Sequence, residues 1–350
     1  MEFIDYVKEI PRLIKNFLSR KNQLISFYSQ AASVKKFERI VIVGSGTSHT
    51  AALTVSPYIR RLTHKEIACF IPSDFLARED LLLKTHATCY IFVSQGGDTK
   101  LVLNCLEKAK SAHAFCVSVT DNVNGRIPQA SDFVVPMEVE GEPFLFRTAG
   151  FDMTCIVLTF FLLSILSENK AILEHAAQEL GSSSEKLPGI ISTASAWYCK
   201  HAKELAQTSH FIFIAEKDLL PLAQEADLKF MEMLPTFSRY FDLEESIHGP
   251  QNAFLPSMTF FLLAQNQQDQ EKTVNLFNFL KQEVGAKAYI ISNDVKAAAF
   301  QIPLENYLFA FLGYITFFQV LAYYLAKDRG RDLTKVTYPS LTHFIQKKFD

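Results

Sequence analysis

The sequence lacks the patterns that mark a nucleic-acid-binding surface, a structural zinc site or a secreted protein. Its net charge is −2 and it contains no long basic run, although binding to phosphate backbones requires clustered Lys and Arg. The six cysteines never form a C-x-x-C pair, and their scattered spacing is typical of reduced core thiols. The first residues include Glu2 and Asp5 where a signal peptide needs positive charge. We therefore expect a cytoplasmic protein with no nucleic-acid partner, no bound metal and no cofactor.

Two apolar runs raise the question of a membrane span. Thr154–Leu166 is too short to cross a bilayer, whereas Leu308–Ala326 is long enough and contains Gln319 as its strongly polar residue. A helix that is apolar all round can equally be buried in protein. We therefore predict no membrane insertion and expect the second run to be buried between subunits or domains.

The alternation of apolar runs with helical patterns predicts an α/β fold in both halves of the chain. Short runs such as Arg39–Gly44 and His210–Asp218 are typical of strands, and amphipathic stretches follow them. The pattern predicts two tandem doubly wound parallel sheets, each a flavodoxin-like three-layer αβα domain. The Gly/Ser/Pro-rich segment Glu179–Gly189 is typical of a linker. The predicted divisions are an N-terminal helical segment (1–34), a first domain (35–180), a linker or helix (181–204), a second domain (205–330) and a C-terminal tail (331–350).

The segment "VIVGSGTSHTAA" follows the first predicted strand and opens a helix. Gly44 and Gly46 form a G-x-G, but His49 occupies the third glycine position of a dinucleotide motif and is too bulky for it. The remaining features are Thr47, Ser48 and the backbone N–H groups of a helix N-terminus. This combination favours a phosphomonoester.

A second segment, "VSQGGDTKLVL", repeats this construction after another strand. Ser94, Gln95 and Thr99 offer side-chain donors, and Gly96 and Gly97 expose backbone N–H groups. Hydroxyl residues cap many helices without any ligand, so one such turn means little. Two of them, each after a strand of the same sheet, predict a bound phosphate.

"GSGTSHTAA" followed by "SQGGDT" resembles the sugar isomerase (SIS) domain, whose second loop holds the phosphate of a sugar phosphate. The resemblance implies that both predicted domains are SIS domains. Gly96 stands where the family usually has a second serine, so one hydroxyl donor is missing. Arg147 and Thr148 lie at the family's third substrate loop, where Arg147 could contact the phosphate or a substrate carboxylate, or could simply lie on the surface.

The segment from Ala215 to Phe254 is similar to the isomerase portion of glucosamine-6-phosphate synthase and its relatives. The alignment places Glu225 and Lys229 on framework positions, Glu232 on the catalytic glutamate and His248, sixteen residues later, on the ring-opening histidine. A carboxylate suits abstraction of a proton from a sugar carbon, and a histidine suits proton transfer near neutral pH. Without the resemblance, Glu232 would be expected to face solvent and His248 to be a turn residue. Because the neighbours of Glu232 along the chain are methionines, we expect it in a poorly solvated environment.

Met231 stands where the amino-sugar synthases have a lysine, and "MEM" resembles the deglycase branch of the family. These enzymes act on fructosamine 6-phosphates, so the resemblance implies hydrolysis of an N-fructosyl, or glucosyl-type, amino acid 6-phosphate. Such a substrate already carries its amine, and we expect no glutaminase domain before residue 35. The alternatives are a ketose–aldose phosphosugar isomerase, an amino-sugar-phosphate isomerase or deaminase, and a non-catalytic sugar-phosphate-binding regulator. The segment before the first strand is too short for the helix-turn-helix domain of such regulators.

Relatives use a C-terminal tail that closes over the substrate, often with a lysine. Lys347 or Lys348 could play this part here, or the tail could be a solvated basic segment. The family also assembles as dimers or dimers of dimers in which subunits share active sites. The resemblance therefore implies a homodimer or a dimer of dimers, with Leu308–Ala326 contributing to the interface.

Overall fold

Two five-stranded sheets, both entirely parallel, form the framework of the chain. The computed structural model describes residues 2–83, 85–265, 270–304 and 308–348. The strands of the first sheet are β1 (Arg39–Gly44), β2 (Glu66–Phe70), β3 (Thr88–Val93), β4 (Phe115–Thr120) and β5 (Phe133–Pro136). Those of the second are β6 (Phe211–Ala215), β7 (Ser238–Asp242), β8 (Thr259–Ala264), β9 (Lys287–Ser292) and β10 (Phe300–Gln301).

The two sheets have the same strand order. The first runs β2-β1-β3-β4-β5 and the second, from its opposite edge, β7-β6-β8-β9-β10. This is the flavodoxin-like order, in which the chain reverses direction across the sheet beside its first strand. Every residue of β3, β6 and β8 is buried, because helices cover both faces of a central parallel strand. The predicted α/β class with two tandem doubly wound sheets is confirmed.

The helices that precede the second sheet include two long ones. They are α1 (Phe3–Val7), α2 (Ile10–Ser19), α3 (Lys21–Val34), α4 (Thr47–Thr63), α5 (Pro72–Leu76), α6 (Lys100–Ser111), α7 (Arg126–Ala130), α8 (Ala149–Leu166) and α9 (Lys170–Ala206). The helices that follow β6 are α10 (Leu220–Met233), α11 (Leu243–Ser246), α12 (Gln270–Gln282), α13 (Phe311–Asp328) and α14 (Leu341–Phe344).

The chain divides into two compact units that are not simply its two halves. The β1–β5 unit comprises Arg12–Pro143, Ala149–Gly181 and Val336–Asp350. The β6–β10 unit comprises Met1–Pro11, Phe144–Thr148 and Ser182–Lys335. The N-terminal and C-terminal segments therefore each pack with a unit that lies distant from them along the sequence.

The segment Glu179–Gly189, predicted as part of a linker or helix, lies inside the 37-residue helix α9. The two units divide between Gly181 and Ser182, within this segment. Its glycines and Pro188 disfavour helix, but Leu180 and Leu187 are almost fully buried, as is Ile190 in the next turn. Burial of a regularly spaced apolar stripe outweighs weak local propensity.

The apolar runs form buried helices. α8 is long and apolar enough to cross a membrane, but 89% of it is buried inside the protein, as expected of a core helix. It begins at Ala149, before the predicted Thr154. α13 is likewise buried and packs on α10 and α1 within the β6–β10 unit. Little of α13 is therefore left for a second subunit to cover, contrary to the expectation for Leu308–Ala326.

Replacement of Gly189 by alanine tests whether this segment is helical in solution. Gly189 is exposed and a Cβ there would meet no atom within 4 Å, so Gly189→Ala should raise the free energy of unfolding by about 0.5–1 kcal/mol. Gly285 is equally open but has a φ of +70°, so Gly285→Ala should lower this free energy by about 1 kcal/mol. Urea unfolding of both variants measures the difference. A Gly189→Ala variant no more stable than the parent would contradict a continuous helix.

Candidate active site

The first candidate phosphate loop lies between β1 and α4. Gly46 has a φ of 55° and precedes Thr47, the first residue of α4. Its carbonyl accepts hydrogen bonds from the backbone N–H groups of His49 (2.9 Å) and Thr50 (3.0 Å), and this closes the first turn around Thr47 and Ser48. Burial lowers the pKa of His49, so its imidazole is neutral near pH 7 and adds no charge to the helix N-terminus.

The second candidate phosphate loop lies between β3 and α6. Gly97 has a φ of +73°, and a Cβ there would lie 2.9 Å from the carbonyl oxygen of Asn122, so glycine is required. The hydroxyls of Ser94 and Thr99 lie 2.9 Å apart, and the Thr120 hydroxyl donates to the carbonyl of Gln95 (3.2 Å). The loop between Ser94 and Thr99 is therefore held in one conformation by its neighbours.

Both loops lie at the same edge of the first sheet. Gly44, the last residue of β1, pairs with Val93, the last residue of β3. The carboxyl edge of a parallel sheet, at the point where strand order reverses, is where such folds bind ligands. The structure thus brings together the seven predicted phosphate-contacting residues: Gly46, Thr47, Ser48, Ser94, Gln95, Gly97 and Thr99.

The C-terminal tail reaches the second loop within the same unit. Thr99 pairs with Lys348 in an antiparallel bridge, and the backbone N–H of Lys100 donates to the carbonyl of Lys347 (3.0 Å). The Lys348 ammonium lies 3.3 Å from the position that a Cβ on Gly96 would occupy. Of the two candidate lysines, Lys348 therefore presents its ammonium to the loop, whereas Lys347 presents its carbonyl.

Glu232 lies in the last turn of α10 and forms a close ion pair. The Lys229 ammonium lies 2.6 Å from the Glu232 carboxylate and 3.5 Å from that of Glu225. The side chains of Lys229 and Glu225 are 2% and 0% exposed, whereas that of Glu232 is 31% exposed. One buried ammonium thus joins a fully buried carboxylate to a carboxylate that can be reached from solvent.

Glu232 does not lie in the apolar environment that its methionine neighbours led us to expect; it is paired with the Lys229 ammonium. Met233 is buried, but Met231 is 41% exposed. Adjacent residues on a helix face different directions, whereas a residue three positions away shares a face. The nearest polar partner of Glu232 is therefore Lys229, at i−3. This spacing was visible in the sequence, where Lys229 was taken only as a framework residue.

His248 lies in an exposed turn after α11. Its Nε2 atom is 3.4 Å from the Glu244 carboxylate, which also accepts from the Lys272 ammonium (2.8 Å). The hydrogen bonds from Lys272 and His248 lower the pKa of Glu244 below its usual value. Gly249 follows with a φ of 132°, a conformation that favours glycine and fixes the direction of the turn.

Glu232 and His248 lie at opposite ends of the strands of the second sheet, Glu232 toward the amino ends and His248 beyond the carboxyl ends. α10 connects the parallel neighbours β6 and β7 and so runs against them, which places its last turn toward the amino ends of the strands. Consistent with this, Ser238 at the start of β7 donates to the Asp227 carboxylate of α10 (2.6 Å). His248 instead follows the carboxyl end of β7. Since α10 has 14 residues and a helix of that length spans about 20 Å, these two side chains cannot serve one reacting centre within this unit.

Arg147 and Thr148 fall in the β6–β10 unit, whereas the phosphate loops fall in the other. The Thr148 side chain is fully buried and donates to the carbonyl of Phe146 (3.1 Å), so it stabilises its own turn. The carbonyl of Thr148 accepts from the Gln319 amide at 3.5 Å. Arg147 is partly exposed. Their role in substrate binding stays a prediction.

No group of three or more His, Cys, Asp or Glu suited to a metal ion occurs in the described ranges. The buried sulfhydryls do not provide a reactive centre either, since burial raises the pKa of Cys105 and of Cys116 to about 12. The candidate site residues described above carry carboxylate, hydroxyl, ammonium and imidazole groups.

Residues 33–166, which contain the first sheet, both phosphate loops and α8, match the family model of the SIS domain. These residues are a SIS domain. The family resemblance of "GSGTSHTAA" and "SQGGDT" is therefore confirmed. Similarity to curated proteins also covers the β6–β10 unit, beyond residues 33–166.

The chain is 24% identical over 336 residues to a glutamine–fructose-6-phosphate aminotransferase (isomerizing) of Sulfurisphaera tokodaii. The match covers 95% of this chain and 54% of that protein, so the chain spans about half the length of this relative.

Two solved structures have the same fold. A Clostridium difficile protein provisionally assigned as a phosphosugar isomerase is 21% identical, with a TM-score of 0.90 and coverage of 100% of this chain and 99% of that one. The C-terminal domain of the Francisella tularensis glucosamine-fructose-6-phosphate aminotransferase is 19% identical, with a TM-score of 0.83 and coverage of 95% and 97%. Both structural matches cover the β1–β5 unit and the β6–β10 unit.

The Lys229 ion pairs should matter for stability as well as for the site. Lys229→Met would leave the buried Glu225 carboxylate without this ammonium and should lower the free energy of unfolding by on the order of 3 kcal/mol. Lys272→Met, whose side chain is 62% exposed, is the matched control and should change it by less than about 0.5 kcal/mol.

Chemical denaturation of both variants measures these changes. The double variant Glu225→Leu/Lys229→Met should recover most of the loss, since it removes both buried charges. Equal effects of Lys229→Met and Lys272→Met would contradict the account of this cluster.

Proposed function

We propose that this protein is a deglycase that hydrolyses an N-fructosyl, or glucosyl-type, amino acid 6-phosphate to glucose 6-phosphate and a free amino acid. The observation that carries the proposal is the environment of Glu232. Lys229 already provides one ammonium beside this carboxylate, while the next position holds Met231, which is 41% exposed. Packing would tolerate a lysine at such an exposed position, so the absence of a second ammonium there fits a substrate that brings its own amine.

The phosphate of the substrate would bind at the carboxyl edge of the first sheet. There the hydroxyls of Ser48, Ser94 and Thr99, together with the N-terminus of α4, offer hydrogen-bond donors and a favourable dipole. The Lys348 ammonium beside Gly96 would add a positive charge. It would also compensate for the serine hydroxyl that most family members have at position 96.

Glu232 would act as the base on the opened sugar. It would remove a proton from the first carbon of the ketosamine, and the resulting enolamine would be reprotonated at the second carbon to give an imine. Water would then add to the imine carbon, and cleavage of the carbon–nitrogen bond would release the amino acid and the aldehyde of glucose 6-phosphate. No redox partner is required, because the carbonyl group only moves from the second carbon to the first.

His248 would open the cyclic sugar of a site to which a second copy of the chain contributes. The positions of Glu232 and His248 at opposite edges of one sheet support this arrangement, because one unit cannot present both to the same carbon chain. The proposed assembly is therefore a homodimer or a dimer of dimers in the cytoplasm. Arg147 and Thr148 would complete the substrate loops, with Arg147 facing either the phosphate or the carboxylate of the amino acid.

A ketose–aldose phosphosugar isomerase is the second candidate. It is favoured by the Lys229 ammonium at 2.6 Å from Glu232, since a cation beside the base could stabilise an enediolate without any amine. The two activities share the proton transfer and differ in whether a carbon–nitrogen bond is cleaved afterwards.

A panel of ketosamine 6-phosphates with different amino acids distinguishes these candidates. Glucose 6-phosphate release, coupled to a dehydrogenase, should be observed with at least one member and should exceed the conversion of fructose 6-phosphate. Conversion of fructose 6-phosphate, alone or with ammonia, without product from any ketosamine would eliminate the deglycase proposal. Binding without turnover of either substrate would indicate a regulator.

Glu232→Gln is the control variant for the base. It should abolish turnover because an amide cannot accept the carbon-bound proton, yet it should retain the rise in melting temperature that the substrate causes. Full activity of this variant would remove Glu232 from the mechanism.

A further inference from the structure

A segment with three glutamates at alternate positions, residues 137–143, follows β5 and is here called the glutamate strap. Glu138 pairs with Arg20, and Glu140 accepts from Arg12 (3.0 Å) and Asn16 (3.1 Å). Glu138 and Glu140 have φ values of 61° and 60°, in a left-handed region that glutamate rarely adopts. These partners on and beside α2 therefore hold the strap in an unusual backbone conformation.

The third glutamate of the strap, Glu142, faces the second phosphate loop. Its carboxylate accepts a hydrogen bond from the side-chain amide of Gln95 (3.1 Å). Gln95 lies between Ser94 and Gly96 in that loop, within the same compact unit. The strap thus places a carboxylate directly beside the second candidate phosphate loop.

The first turn of α8 accommodates this contact. A Cβ on Gly150 would overlap the side-chain amide oxygen of Gln95 and lie 2.7 Å from the Glu142 carboxylate, so any larger residue would displace the pair. The N-terminus of an 18-residue helix carries partial positive charge, which favours a carboxylate at this place. Gly150 and Gln95 were not expected to have this joint role from the sequence.

The second phosphate loop has a positively charged group beside one residue and a negatively charged group beside the next. Lys348 brings an ammonium to Gly96, whereas Glu142 brings a carboxylate to the adjacent Gln95. A carboxylate beside a phosphate dianion is unfavourable for a ligand whose only charge is its phosphate, because like charges repel at short range. The same carboxylate is favourable for a ligand that also carries an ammonium.

We infer that Glu142 is a specificity-determining residue that recognises the protonated amine of the substrate and so distinguishes ketosamine phosphates from plain sugar phosphates. The inference rests on the proposed function for the identity of that amine. Gln95 acts as the positioning residue that holds the Glu142 carboxylate, and Gly150 provides the space for both. The phosphate loops and Glu142, all in the β1–β5 unit, would then bind the phosphate and the amine of the same substrate.

The test compares two ligands that cannot be hydrolysed: 1-amino-1-deoxyglucitol 6-phosphate, which carries an ammonium, and glucitol 6-phosphate, which does not. Calorimetry should show that the parent prefers the amine, and Glu142→Gln should weaken binding of the amine by about tenfold or more, as expected for a lost charged hydrogen bond. Its binding of glucitol 6-phosphate should stay the same or become tighter.

Glu140→Gln is the matched control, because Glu140 lies on the same strap and its carboxylate accepts hydrogen bonds from Arg12 and Asn16 rather than from the phosphate loop. Its two affinities should change together, if at all. Equal weakening of both ligands by Glu142→Gln would indicate a contact to sugar hydroxyls or a disturbed strap and would overturn the inference, as would no change in either.

The outcome separates the inference from the proposed function. If the parent cleaves no ketosamine but still loses its amine preference on Glu142→Gln, the inference holds and the deglycase proposal fails. If the parent cleaves ketosamines and the variant shows no selective loss, the deglycase proposal holds and the role of Glu142 is refuted.

Discussion

The buried ammonium of Lys229 is the interaction on which the candidate catalytic region depends. An isolated charge in a protein interior costs several kcal/mol, so Lys229 requires its two carboxylates. Glu225 satisfies it from inside the core and Glu232 from the accessible side. The packing of α10 thereby fixes the position of the carboxylate proposed as the base. Stability and the proposed chemistry therefore depend on one cluster of charged residues of α10.

The parallel topology of both sheets determines which candidate residues can lie close together. In each sheet, loops that follow strands gather at one edge and the ends of crossover helices at the other. The phosphate loops after β1 and β3 therefore lie together, while Glu232 at the end of α10 and His248 beyond β7 lie apart. The proposed sharing of active sites between subunits follows from this separation. The tail adds Lys348 to the loop edge and the glutamate strap adds Glu142, so opposite charges flank the place proposed for the phosphate.

The fold and the phosphate loops were predictable because their causes are local. Runs such as Arg39–Gly44 must be strands, and the glycines after them must be turns. The choice between linker and helix for residues 181–204 could not be made from composition alone, because Gly and Pro there disfavour helix and the burial of Leu187, which favours it, depends on the rest of the fold. The tail register also depends on a long-range bridge, from Thr99 to Lys348. Lys229 could have been recognised from its i−3 spacing to Glu232, whereas the link between Gln95 and Glu142 requires the folded strap.

The transfer of a proton from the first carbon of a ketosamine is the central claim, and substrate labelled with two deuterium atoms at that carbon tests it most directly. Catalysis through Glu232 must break one carbon–deuterium bond before the amine leaves. The product should therefore be glucose 6-phosphate with a single deuterium at its first carbon, formed more slowly than from unlabelled substrate. Release of the amine as fructose 6-phosphate that keeps both deuterium atoms would contradict the account, because no carbon acid would then have been deprotonated.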